Sequence, residues 1–186
     1  MRSARLFMIL TAALLCVAAT ALAQQGPGKS ISPLYYGNQT VEYAGHVHVW
    51  NNGRQPNADG DDIGSKFLVQ VHMDTDAGWW MTEVQVQAGF EDIPVTKTGE
   101  ARPGKFNCKA EFVEPQGYFE CIYDLENDIG FSWGSDRGRP INVAVHVEAV
   151  NTDGRQEGAW AKPVEEDKGG IHEFGSAWGW WYTYQI

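Results

Sequence analysis

Four of the five histidines stand in stretches whose apolar residues alternate with period two: His46 and His48 in 40–50, His72 in 66–73 and His146 in 141–150. Side chains two apart on a strand share a face, so His46 and His48 can offer nitrogen to one metal ion. Where these strands are neighbours, all four imidazoles gather into a site for a transition metal such as zinc or copper. A second constellation carries oxygen. Asn57, Asp59, Asp61 and Asp62 are spaced like the opening of a calcium loop, with Asp74 and Asp76 a further close pair, although the distal Glu and flanking helices of the helical calcium motif are missing. Glu83 and Glu148 are strand carboxylates of the kind that glycoside hydrolysis sets on either side of a scissile bond. Two tryptophan pairs, Trp79-Trp80 and Trp180-Trp181, are adjacent in sequence, so one member of each leaves the core. Trp79 and Trp181 are expected on the outer side, as flat platforms for a sugar ring. No Gly-x-Ser-x-Gly turn, His-Glu-x-x-His pair, phosphate-cradling loop or Cys-x-x-Cys is present.

These side chains need strands to hold them. The spacing predicts strands over 40–50, 66–73, 79–87, 106–113, 117–123, 141–150 and 177–186. In 40–50, Val41, Tyr43, Gly45, Val47 and Val49 are expected to face inward. In 79–87 the inward set is Trp80, Thr82, Val84 and Val86. Turn-forming residues at 74–78 and 115–117 suggest two hairpins, 66–73 with 79–87 and 106–113 with 117–123, the second tied by a Cys108–Cys121 disulfide. No window carries a 3.6-residue apolar period. With 21 Gly and eight Trp, the composition suits strands and tight turns better than helices. The expected fold is all-β, an antiparallel two-sheet β-sandwich of jelly-roll type with little helix.

Organisation and compartment follow from the ends and the charge. Residues 1–23 read as a secretory signal peptide, with Arg2 and Arg5, an apolar run and Ala21-Leu22-Ala23 as cleavage site. Residues 24–33 read as a flexible linker, and 34–186 as a single β-sandwich domain. The whole chain has a net charge of -10, and removing the signal makes it more acidic. Such a surface repels nucleic acid and anionic lipid, and no later stretch is apolar enough to span a membrane. Cys108 and Cys121 then remain as one disulfide, which an oxidising compartment preserves; closing so short a loop stabilises by roughly 3 kcal/mol. Asn38-Gln39-Thr40 is a glycosylation acceptor if the source is eukaryotic.

Three stretches together resemble an uncharacterised family of microbial secreted and cell-surface domains. They are Gly78-Trp79-Trp80-Met81-Thr82-Glu83, the loop Asp92-Ile93-Pro94-Val95-Thr96-Lys97-Thr98-Gly99 with Pro103-Gly104-Lys105-Phe106, and the aromatic end Trp178-Gly179-Trp180-Trp181-Tyr182-Thr183-Tyr184. Val143-Ala144-Val145-His146-Val147 and the segment 158–161 are similar to later parts of the pattern, which spans about residues 40–186. The chain departs from it at Gln85 and Gln87, where the family often carries histidine. The resemblance implies an extracellular β-rich domain. The functional expectation is a secreted binding or surface-structural protein for cell-wall or matrix carbohydrate, with Trp79 and Trp181 as ligand-binding residues. The alternatives are an enzyme or metal protein using the strand carboxylates or the histidine face, or self-assembly on a surface. No cofactor is certain, with calcium or a transition metal as candidates.

Overall fold

The computed structural model describes residues 29–37, 42–54, 58–59, 64–163, 171–175 and 178–186. The expected signal peptide, Asn38 and most of the acidic stretch 57–62 lie outside the described residues.

Ten antiparallel strands make up the fold: β1 (Ser30–Tyr36), β2 (Glu42–Asn51), β3 (Lys66–Met73), β4 (Trp79–Gly89), β5 (Cys108–Gln116), β6 (Tyr118–Asp124), β7 (Pro140–Asn151), β8 (Gln156–Ala161), β9 (Ile171–Glu173) and β10 (Trp180–Gln185). Among the described residues the only helical element is one 3₁₀ turn at Pro103–Lys105, and no helix is long and apolar enough to cross a membrane. The strands form one hydrogen-bonded path, β5-β4-β7-β8-β1-β2-β3-β6, with β10 sharing an edge of β7 and β9 beyond it. The expected division into two facing sheets does not show as a break in the ladder. The sheet instead curls until its two ends nearly meet, and its interior is filled by Leu34, Val47, Val49, Phe67, Val69, Val71, Met81, Val84, Val86 and Val147, all fully buried.

The two expected hairpins do not form. β3 pairs with β2 and β6, whereas β4 pairs with β5 and β7, so the turn at 74–78 carries the chain around a corner of the curl. β5 and β6 are the two free ends of the path, joined through Gly117 and tied across the seam by Cys108 and Cys121, whose Cα atoms are 6.4 Å apart. Phe112 meets Phe119 edge-on across the same seam. Alternation in sequence predicts which faces are buried, but not which strand lies alongside.

β1 starts at Ser30, ahead of the expected domain start at Leu34, and Ser30 and Ser32 are buried. Pro33 is tolerated inside this strand because it lies just past the last β8 pair, Leu34 with Ala161, where only its carbonyl is used, accepting from the Lys162 N–H at 2.9 Å.

Two bulges decide which side chains face outward. Between Leu34 and Tyr35 the β1–β2 register shifts, so Ala44 is the extra residue on β2. It turns into the core while Tyr43, expected inside, faces solvent. A second shift between Met81 and Glu83 makes Thr82 the extra residue on β4. It lets Trp79 and Met81 share the interior with Val84 and Val86, and turns Trp80 outward. A bulge costs one ladder position and reverses the side-chain parity on either side of it.

The outer face of the curl is unequally covered. Over β7 and β8, a second apolar cluster of Ile93, Phe106, Ala144, Trp160, Phe174 and Trp180 is supplied by the 90–107 excursion and the C-terminal strands. Gly179 lets the chain run against this cluster: at φ 153°, a Cβ there would sit 2.9 Å from the Trp160 ring. The outer face of β1, β2, β3 and β6 has no such cover among the described residues, and Ile31, Tyr43, Tyr118 and Ile122 are exposed on it.

Candidate metal centre

On this open face, β2 and β3 pair so that His46 lies opposite His72 and His48 opposite Gln70. The four residues form a two-by-two block, continued on β6 by Tyr118 opposite His72 and Glu120 opposite Gln70. One ligating atom from each of His46, His48 and His72 lies within 4.8 Å of the others. The rings of His46 and His72 are stacked at 4.9 Å, and His48 lies 4.7 Å from His46 and 4.9 Å from His72 between centroids.

Backbone geometry permits this closeness. Gly45, just before His46, has φ 152°, and a Cβ there would stand 2.2 Å from the His72 carbonyl oxygen. Only glycine allows β2 to press onto β3 at this level. The bulge at Ala44 adds a partner, since it brings Tyr43 outward and places its hydroxyl 3.2 Å from His46 Nδ1. A ring nitrogen engaged in this way leaves the other free to bind a metal, as metal-binding histidines usually have their second nitrogen hydrogen-bonded. His72 Nε2 is buried and, among the described residues, has no hydrogen-bond partner. Leaving such a donor or acceptor unsatisfied costs about 1–3 kcal/mol, which a ligand at that atom would recover.

The electrostatics keep all three rings neutral near pH 7. Desolvation is the first cause in each case. His48 is lowered to about 4, with Lys29, His46 and His72 adding to the effect. His46 is lowered further by Lys29 and His72 by His46, with Asp74 and Glu120 respectively pulling the other way. Neutral imidazole is the form that binds metal. Three nitrogens with no carboxylate among them suit zinc or copper rather than calcium.

His146, the fourth histidine of the expected cluster, is not part of it. It lies on β7 under the second apolar cluster, 9% exposed, its ring tilted against Trp160 at 4.6 Å between centroids and bonded through Nδ1 to Gln85 Oε1 at 2.7 Å. Alternation sets this ring on the face opposite the core but cannot show that a distant loop covers that face. Glu83 and Glu148 do meet, as directly opposed residues of β4 and β7, and burial followed by the charge of Glu83 raises the pKa of Glu148. His146 Nε2 is 3.8 Å from Glu148 Oε1.

The two tryptophan expectations separate. Trp79 is a core residue, 5% exposed and packed on Tyr36 at 4.4 Å, because the bulge at Thr82 reverses the expected parity; Trp80 is the outward member, at 37%. Trp181 is half-buried and stacked on His172 at 4.0 Å. Of the acidic candidates, Asp74 caps its own turn by accepting from the Ala77 N–H at 3.0 Å. Tyr43, Gln70 and Glu120, which surround the triad, carry no motif and could be found only from strand register. Comparison of the chain with family models, with curated proteins and with solved structures finds no match.

Proposed function

We propose that this protein is an exported binding protein that holds one transition-metal ion, zinc or copper, on the open face of β2 and β3. A single observation carries the reading: ligating atoms of His46, His48 and His72 converge within 4.8 Å. Three imidazole nitrogens are the protein ligand set of an open four-coordinate site. Export is supported by the bonded cysteines, which an oxidising compartment preserves. The test is calorimetric titration of metal-free protein with Zn²⁺ and Cu²⁺, beside His46→Ala and His72→Ala. One equivalent should bind to the wild type, and each substitution should weaken binding by more than about tenfold. Equal binding by all three proteins would dismiss the site.

A second reading, recognition of a surface glycan, keeps Trp181 of the two expected platforms, because its ring is half-exposed and stacked on His172. Retention on insoluble polysaccharide that Trp181→Ala abolishes would support it. Retention unaffected by that change, or none at all, would remove it.

A further inference from the structure

The two-by-two block of His46, His72, His48 and Gln70 presents three imidazoles and one amide to the same patch of solvent. Gln70 Nε2 donates to Glu120 Oε2 at 2.6 Å, and the Tyr118 hydroxyl donates to that same oxygen at 3.0 Å. A carboxylate accepts only, so the amide end facing β6 is its nitrogen. With its nitrogen turned to Glu120 on β6, Gln70 has His48 of β2 as its cross-strand neighbour on the other side.

We infer that Gln70 is a fourth member of the metal site, its Oε1 serving as the oxygen donor beside the three imidazoles, and that Glu120 is the positioning residue that fixes which end of the amide faces the ion. The inference rests on the triad's binding a metal and adds to it the identity of the fourth protein donor. An amide oxygen is neutral and harder than imidazole, so a set of three nitrogens and one oxygen keeps the full charge of the ion while closing most of its coordination sphere. Glu120 acts as a carboxylate behind a ligand, as the outer partners of metal-binding side chains generally do.

The experiment uses the full chain without metal, titrated with Zn²⁺, Cu²⁺ and Co²⁺, with the visible absorption of bound cobalt as reporter of the donor set. Gln70→Leu should weaken binding about tenfold and change the cobalt spectrum, and Glu120→Gln should weaken it less, since it frees the amide to turn. Gln70→His should strengthen binding, a gain that misfolding cannot produce. Wild-type affinity and an unchanged cobalt spectrum in Gln70→Leu would overturn the inference. If His46→Ala abolishes binding while Gln70→Leu does not alter it, only the role of Gln70 falls; if neither substitution matters, the triad itself falls.

Discussion

The histidines of this chain sit in two environments, and the difference lies in what surrounds each ring. His46, His48 and His72 are half-buried, and share a face with Tyr43 and Glu120; His146 is covered by Trp160 and tied to Gln85. Burial lowers the pKa of all four, with His48 and His146 brought to about 4. In the unfolded chain they titrate near 6.5, so between that value and about 4 the unfolded state binds more protons. Stability is therefore full above pH 6.5 and is lost as the pH falls toward 4. His146 alone contributes roughly 3 kcal/mol of that loss at pH 4. Glu148, raised by burial and by Glu83, opposes the trend, but it is one group against four. Urea melts of metal-free protein between pH 7 and 4 should show a midpoint that falls steadily below 6.5; a flat profile would mean that these rings are not desolvated.

At the scale of the element, the site depends on how closely β2 and β3 approach and on where β2 is bulged. Gly45 carries the first of these, since any side chain there collides with the backbone of His72 and Met73. Gly45→Ala should cost about 1–3 kcal/mol through the strained backbone and forced separation of the strands. It should also weaken metal binding, because His46 and His72 no longer stack. Thermal melting and metal titration of the same variant check both effects, and a loss of stability with unchanged affinity would show that the triad tolerates the separation. The bulge at Ala44 acts through Tyr43, whose hydroxyl reaches His46 only because parity reverses there.

For the molecule as a whole, the weak line is the seam between β5 and β6, where the ladder does not close. Among its contacts are the Cys108–Cys121 bridge, the Phe112–Phe119 pair and the Tyr123 hydroxyl, which donates to Asn107 Oδ1 at 2.9 Å. A disulfide that shuts an otherwise open curl limits both the unfolded chain and the parting of the sheet ends. The double change Cys108→Ser, Cys121→Ser should cost about 2–4 kcal/mol, read as a lower urea midpoint. Because β5 and β6 are the ends of the hydrogen-bonded path, faster amide hydrogen exchange should appear there before β7 and β8. Uniform exchange across the sheet would place the weak line elsewhere.

The all-β character, the positions of most strands and the cysteine pair were legible in the sequence, because alternation with period two and an even cysteine count are local signals. His46 and His48 were legible as a pair for the same reason, since two residues apart on one strand is a local relation. The partner strand of β2 was not: that His72 joins them and His146 does not depends on register between segments distant in sequence, and on loops that cover one outer face and leave the other open. Nor could the chain announce its bulges. One extra residue at Ala44 or Thr82 looks like any other in a strand pattern, yet each reverses the faces around it and so exchanges Trp79 with Trp80 and brings Tyr43 to the site. Local periodicity specifies which residues can face the same way; only long-range pairing decides what they face.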